Sequence, residues 1–196
     1  MKQELIIKQL ALKKRWKQKE LLAEAGCTKG YLSKVIKKLE DGNIVAKIGR
    51  NQIILIDLPK LLNYWTSIRE LVNPHFIGTE ESIEEIEQKL KKSNISYSIT
   101  LFRAAWHRIK LLKVEKIEIY VLKKDLQKIF KLLGKPNPHG KIEIYPAEEV
   151  DISYPEKIDG INLVPVVQNY VDLMCVGGNG TRIALELAKR FEYFGV

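Results

Sequence analysis

The chain has 196 residues, 45% of them hydrophobic, and only two cysteines, which excludes a small fold held together by several disulfide bonds. Its formal net charge is +9, and most of this charge lies in residues 1–72, which hold 15 Lys and Arg against 7 Asp and Glu. Residues 73–196 hold 18 against 17, so we predict a basic N-terminal domain, suited to a polyanion, joined to a nearly neutral domain.

Two helices are predicted at the start of the chain. Residues 2–15 alternate charged and apolar side chains, as an amphipathic helix does. Three apolar side chains of this helix are expected to pack beneath a later helix: Leu5, Ile6 and Leu10. Trp16 is predicted to mark the turn into a second, short helix over residues 17–26, and its ring is expected to pack in the core or at its boundary.

The third predicted helix, residues 28–40, carries the strongest pattern. Its apolar side chains recur along one helical stripe: Leu32, Val35, Ile36 and Leu39. The opposite face holds small, hydrogen-bonding and cationic residues: Gly30, Ser33, Lys34, Lys37 and Lys38. Thr28 is placed to cap the start of the helix, and Gly42 to end it in the left-handed conformation. This cationic face suits a polyanionic groove, whereas the alternative is a lysine-rich face that is merely solvated.

A hairpin is predicted directly after this helix. Residues 43–48 and 52–56 are β-branched runs, and Gly49, Arg50 and Asn51 separate them as a turn with a cation at its tip. Two helices in a helix-turn-helix followed by a basic hairpin resemble a winged helix-turn-helix domain, in which the hairpin is the wing. The predicted fold class is therefore α+β, with an N-terminal winged helix-turn-helix followed by a mixed α/β C-terminal domain.

Double-stranded DNA is the partner that this domain implies, and the candidate contacts lie on the third helix and the hairpin: Lys29, Gly30, Tyr31, Ser33, Lys34, Lys37, Lys38, Lys47, Arg50 and Asn51. Gly30, Tyr31 and Ser33 are nearest the helix start, where such domains contact base edges. Arg50 is expected to contact the minor groove or the backbone.

A further helix over residues 58–71, with Pro59 in its first turn, leads to a predicted domain boundary at Asn73, Pro74 and His75. The domains are thus residues 1–72 and residues 76–196. The second domain is predicted to mix helices and strands. Its first predicted elements are helix 79–92 with Thr79 or Ser82 as cap, strand 95–99, helix 100–108, strand 116–121, helix 125–133 and strand 141–145. They are followed by loop 155–159, by residues 161–165 leading into helix 166–176, and by helix 181–194.

A glycine-rich segment, residues 177–180, lies between the last two predicted helices. Such a segment at the start of a helix can cradle a phosphate group. No lysine of the P-loop type follows it, and no strand enters it as in a dinucleotide-binding fold. We therefore interpret it as a turn between two helices.

The C-terminal segment PVVQNYVDLMCVGGNGTRIALELAKRF resembles the signature of the AbiEi-type antitoxins of type IV toxin–antitoxin systems. The matching residues are Pro165, Gln168, Tyr170, Asp172, Leu173, Gly177, Gly178, Gly180 and Ala184. The stretches LLNYWTSIREL, TLFRAAW and KIEIYV are also similar to that family. The sequence departs from the family at Asn179, where arginine is common, and at Thr181 and Arg182, where acidic residues are usual. The resemblance implies a DNA-binding repressor and an antitoxin against a nucleotidyltransferase-like toxin.

Three functions are weighed against one another. The first is a transcriptional regulator that represses its own promoter at an inverted-repeat operator and neutralises a toxin. The second is a stand-alone winged-helix repressor whose C-terminal domain senses a ligand or forms a homodimer. The third is an enzyme, for which Asp172 beside the glycine-rich turn is the best candidate; we predict no catalytic residues.

No cofactor and no metal site is predicted, because His75, His107 and His139 are isolated and Cys27 and Cys175 form no paired motif. No run reaches the roughly 20 apolar residues of a membrane span. We therefore expect a cytoplasmic protein.

Overall fold

The structure is a computed structural model that describes residues 2–49, 51–111 and 114–191. It divides into two compact units, one built on the residues up to Arg69 and the other on Glu70–Arg190. This division lies slightly before the predicted boundary, and His75 is already part of a strand of the second unit. Helices and strands occur in both units, so the prediction of an α+β protein is confirmed.

The first unit combines helices with a small antiparallel sheet. Its elements are α1 (Lys2–Leu12), β1 (Arg15–Lys17), α2 (Gln18–Ala25), α3 (Lys29–Asp41), β2 (Val45–Ile48), β3 (Gln52–Leu55) and α4 (Leu58–Ile68). The strands are ordered β1-β3-β2, with β2 and β3 forming the predicted hairpin. The predicted succession of three helices, hairpin and helix is therefore present.

The prediction for Trp16 was wrong in its secondary structure. Trp16 lies in β1, opposite Ile53 of β3, and α1 ends at Leu12 instead of extending to residue 15. The indole is buried, as expected, and its Nε1 donates a hydrogen bond to the Gln9 carbonyl oxygen at 3.1 Å. A strand of three residues is too short to show a period-2 pattern, so only its pairing with β3 defines it.

The core of the first unit is formed by the apolar stripes of its helices. All four residues of the predicted α3 stripe are buried: Leu32, Val35, Ile36 and Leu39. In α1, Ile6 and Leu10 are buried as expected, whereas Leu5 is only partly buried and Ile7 lies in the core. α1 packs mainly against α2 and α4, not beneath α3 as predicted.

The ends of α3 show one correct and one wrong prediction. Thr28 caps the helix, because its Oγ1 accepts the Tyr31 backbone N–H at 3.3 Å. Gly42 does not take the left-handed conformation, since its φ is −81°. Asn43 takes it instead, with φ of 53°, because asparagine tolerates this region better than most residues do.

The second unit is built on one mixed sheet. Its elements are β4 (His75–Ile77), α5 (Ile83–Lys92), β5 (Tyr97–Ile99), α6 (Leu101–Ile109), β6 (Ile117–Leu122), α7 (Leu126–Leu133), β7 (Ile142–Ala147), α8 (Glu149–Ile152), β8 (Glu156–Ile158), β9 (Ile161–Leu163), α9 (Val166–Val176) and α10 (Asn179–Arg190). The strand order is β4-β7-β6-β5-β9-β8. The pairs β6–β7 and β5–β9 are parallel, and the other pairs are antiparallel.

Several boundaries in this unit differ from the sequence predictions. The predicted loop 155–159 contains β8, which pairs with β9, and β4 was not predicted. Ser82 caps α5, with its Oγ accepting the Glu85 backbone N–H at 3.2 Å and the Glu85 carboxylate accepting the Ser82 N–H. Thr79 is therefore not the cap. α10 begins at Asn179, and the predicted end of this helix at residue 194 lies outside the described residues.

The two faces of the central strands differ in chemistry. One face of β6, formed by Ile117, Ile119 and Val121, belongs to an aliphatic core that α5 and α7 complete. The alternation in KIEIYV predicted a strand, and Glu118 and Tyr120 alternate with these apolar residues on its second face. Both are buried, because helices cover the second face of the sheet as well.

Candidate nucleic-acid interface

The face of α3 opposite its buried stripe is exposed and cationic. Lys34 and Lys37 are exposed, and among the described residues no carboxylate forms an ion pair with either. Gly30 and Tyr31 are exposed and Ser33 is partly buried at the start of the same face. Because the apolar stripe fixes the rotation of the helix, this face is held towards solvent with its ammonium groups available to phosphates.

Two further predicted contacts are engaged within the first unit. Lys38 Nζ lies over the Tyr64 ring of α4, 5.1 Å from its centroid, so this lysine is on the flank of α3. Lys47 Nζ, on β2, lies 2.7 Å from Glu40 Oε2 at the end of α3. The hydrogen bond from Lys47 lowers the pKa of the Glu40 carboxyl below its ordinary value.

The turn of the hairpin reaches the start of α2. The Asn51 carbonyl oxygen accepts the Gln18 backbone N–H at 2.8 Å. Beside this contact is a shallow depression of about 330 Å³, which we call the α2 depression, lined by Lys17, Gln18, Lys19, Leu22, Lys29 and Asn51. Lys29 and Asn51 were predicted contacts, whereas Lys17 and Lys19 were missed. Arg50, the predicted contact at the tip, lies outside the described residues.

The signal for the missed lysines was present in the sequence. Arg15 and Lys17 are two positions apart, which places both cations on one side of an extended chain, and Lys19 follows in the first turn of α2. This spacing was obscured because the segment was interpreted as part of two helices.

The family-motif side chains of α9 lie inside the second unit. Gln168 and Asp172 have no exposed surface, and Tyr170 is partly buried. Asp172 Oδ2 accepts the Thr100 hydroxyl at 2.7 Å, and Gln168 Nε2 donates to the Asp151 carbonyl oxygen at 2.9 Å. Burial raises the pKa of the Tyr170 phenol. These residues therefore join α9 to neighbouring segments of its own unit.

Gly177 and Gly178 lie in the turn between α9 and α10, as interpreted from the sequence, whereas Gly180 lies in the first turn of α10. Gly177 and Gly178 have φ of 73° and 50°, in the left-handed region that favours glycine. Gly180 serves a different purpose, because a Cβ atom there would come well within 3.0 Å of the Leu173 backbone oxygen. The turn thus depends on glycine for conformation at two positions and for close approach at a third.

A group of polar side chains, which we call the polar layer, lies at the second face of the sheet: Thr100, Glu118, Tyr145 and Asp172, which are buried, and Glu143, which is partly buried. Glu118 Oε2 accepts the Arg103 backbone N–H in the first turn of α6 at 3.0 Å. Burial, together with the nearby Glu143 carboxylate, raises the pKa of Glu118 to about 8. Burial and the same carboxylates also raise the pKa of Tyr145.

The start of α6 is strained at the edge of the polar layer. Leu101 has φ of 47°, an unfavourable conformation for a residue with a branched side chain, and its carbonyl oxygen accepts Asn169 Nδ2 at 2.9 Å. Asp172, the side chain considered for catalysis, holds Thr100 just before this residue. Asn169 and Asp172 of α9 therefore hold the backbone in place at the junction of β5 and α6.

A buried ion cluster joins α5 to α6. Arg103 Nε and Nη2 donate to the Glu87 carboxylate at 2.7 and 2.8 Å, and His107 Nε2 lies 2.7 Å from the same carboxylate. Burial acts to raise the pKa of Glu87, but the hydrogen bonds from Arg103 and His107 outweigh it and hold the pKa below its ordinary value. The sequence analysis did not identify this cluster, because its members come from different elements.

Across the part of the chain that the structure describes, no group of three or more His, Cys, Asp or Glu side chains is arranged to hold a metal ion. Cys27 and Cys175 are both partly buried, and neither forms a disulfide bond. None of the described helices has both the length and the apolar composition needed to cross a bilayer.

Comparison of the chain with models of protein families and with curated proteins finds no match. The resemblance to AbiEi-type antitoxins accordingly rests on the residues quoted above.

Proposed function

We propose that the protein is a sequence-specific DNA-binding transcriptional regulator whose first unit acts as a winged helix-turn-helix. In this proposal α2 and α3 form the helix-turn-helix, α3 enters the major groove, and the β2–β3 hairpin is the wing. The observation that carries the proposal is the exposed face of α3, where Lys34 and Lys37 have no ion-pair partner among the described residues.

The chemistry along α3 supports a division between base and backbone contacts. Tyr31 is 38% exposed in the first turn, where a side chain reaches base edges when the start of the helix points into the groove. Lys34 and Lys37 follow on the same exposed face and would neutralise phosphates on either side. Gly30 permits a close approach of the helix backbone to DNA, since it adds no side chain.

We further propose that the protein represses its own promoter as the antitoxin of a type IV toxin–antitoxin pair. Two observations support this assignment. The segment from Pro165 to Phe191 resembles the AbiEi-type signature, and residues 73–196 are together almost neutral. A nearly neutral unit has little electrostatic attraction for nucleic acid, so a protein target is the more natural partner for its surface.

The DNA-binding proposal is tested with Lys34→Gln/Lys37→Gln in the full chain. We expect weaker binding to the promoter of its own gene. We also expect the slope of log K against log salt concentration to become shallower by about 2, because each lost phosphate contact contributes about 0.9. Lys124→Gln/Lys135→Gln, at exposed positions of the second unit, is the matched control and should leave the slope unchanged. An equal slope for the test variant and the wild type would contradict the assignment of α3.

The Lys47–Glu40 pair gives a second test of the same surface. Glu40→Gln should tighten DNA binding several-fold, since it removes a carboxylate that competes with phosphate for the Lys47 ammonium group. The gain should disappear in a Lys47→Gln background. Fluorescence anisotropy at low salt measures both, and Glu80→Gln, exposed in the second unit, is the control. If Glu40→Gln still tightens DNA binding in the Lys47→Gln background, the effect comes from the change in net charge and not from release of Lys47.

The antitoxin proposal is tested by expressing a nucleotidyltransferase gene adjacent to this gene, where one exists, from an unrelated promoter. The full chain carrying Lys34→Gln/Lys37→Gln should restore growth as well as the wild type does, because neutralisation does not require operator binding. If growth is restored by neither chain, the protein acts as a stand-alone repressor, and the second unit has another role.

A further inference from the structure

The α2 depression gathers polar side chains from three separate segments. Lys17 is the last residue of β1, Lys19 lies in the first turn of α2, and Lys29 is the first residue of α3. Gln18 and Asn51 add side-chain amides, which can donate hydrogen bonds, and Leu22 is the apolar member of the lining. Three lysines, from β1, α2 and α3, thus line one shallow surface.

The charge of this surface is largely uncompensated. Among the described residues, neither Lys19 nor Lys29 forms an ion pair with a carboxylate. Lys17 Nζ lies 3.9 Å from Glu20 Oε1, but Glu20 is shared with Lys13, whose Nζ is 3.5 Å from Oε2. The side chain of Lys17 is 71% exposed and can turn towards another anion. The depression therefore offers cations and amide donors to a partner with several negative oxygens.

The depression is continuous with both elements to which we assign DNA binding. Lys29 opens α3, and Asn51 belongs to the hairpin turn, where its carbonyl oxygen is held by the Gln18 N–H at 2.8 Å. A DNA strand that leaves the groove occupied by α3 towards the hairpin would pass over this surface. The charge pattern fits a phosphodiester backbone, which presents negative oxygens at regular spacing.

We propose that the α2 depression holds the phosphodiester backbone of the DNA that α3 binds, so that the footprint of the protein includes β1 and the start of α2. This inference rests on the proposed DNA-binding function. Its contribution is independent of base sequence, because lysine and side-chain amide contacts to phosphates carry no base information. The depression sets affinity and register, while the exposed face of α3 reads the bases.

The test uses the full chain with Lys19→Gln/Lys29→Gln, which keeps a flexible polar side chain and a similar helix propensity while removing two charges. Binding is measured at several salt concentrations to promoter DNA and to a mixed-sequence duplex. The slope of log K against log salt should become shallower by about 2 on both, and the ratio of the two affinities should stay within about twofold of the wild-type ratio. Lys124→Gln/Lys135→Gln is again the control of equal charge.

The outcomes separate this inference from the function on which it rests. A wild-type slope for Lys19→Gln/Lys29→Gln, with a shallower slope for Lys34→Gln/Lys37→Gln, overturns the role of the depression and leaves the DNA-binding function intact. A loss confined to promoter DNA also overturns it, since the contact would then be sequence-specific. Absence of salt-dependent binding by the wild type to either duplex overturns both proposals.

Discussion

Glu118→Gln is expected to make the second unit more stable at alkaline pH. In the folded chain the pKa of Glu118 is about 8 because of burial, whereas its ordinary value is 4.5. Between these values the folded chain keeps a proton that the unfolded chain has lost, so the free energy of unfolding falls as the pH rises through this window. At about 1.4 kcal/mol per pKa unit, the loss amounts to about 5 kcal/mol. Glutamine stays neutral and can still accept the Arg103 backbone N–H.

The measurement is urea unfolding of the wild type and the variant at a series of pH values from 4.5 to above 8. The difference in free energy of unfolding between variant and wild type should grow with pH and level off above about 8. Glu149→Gln, at an exposed position of α8, provides the control with the same change of side chain and should show no comparable trend. A constant difference for Glu118→Gln would mean that Glu118 is ionised in the folded protein at neutral pH.

The second large effect is expected at the turn between α9 and α10. Gly180→Ala should lower the free energy of unfolding by about 2–3 kcal/mol, because its Cβ would press on the Leu173 backbone oxygen and against Val176. Backbone atoms cannot yield as a flexible side chain does, so the two helices must move apart. The variant should therefore also show faster hydrogen exchange at the amides of α10.

Gly178→Ala is the matched comparison for this substitution. Its Cβ would meet nothing within 4 Å, so its expected loss of about 1 kcal/mol comes from the left-handed backbone alone. The two variants, measured by urea unfolding at one pH, separate crowding from conformation. If Gly180→Ala is no more destabilising than Gly178→Ala, the close approach of α9 and α10 does not require glycine at that position.

The first unit was predictable because its strongest signals are local. In α3 the apolar period, the Thr28 cap and the following β-branched runs all lie within thirty residues, and each indicates the same succession of elements. The rotation of α3, and hence the exposure of Lys34 and Lys37, follows directly from the positions of its apolar stripe. The sequence therefore predicted which lysines of this helix face solvent.

The features that escaped prediction are defined by partners distant in the sequence. β1 exists through its pairing with β3, and β8 through its pairing with β9. Glu118 is buried because α6 covers the second face of β6. A strand that is covered on both faces can alternate apolar and polar residues only where its polar groups find buried hydrogen-bond partners. The apolar periodicity of one segment does not show whether a helix elsewhere in the chain covers its second face.

Gln168 and Asp172 are buried in the second unit, so a partner protein would not contact these two side chains of the motif. Gln168 and Asp172 each form a hydrogen bond within the second unit, so they maintain its internal packing. Arg182 and Leu185, exposed on α10, can be exchanged without disturbing either internal bond. In the proposed antitoxin role, the choice of protein partner would therefore depend on such outer side chains and could be altered without changing the interior.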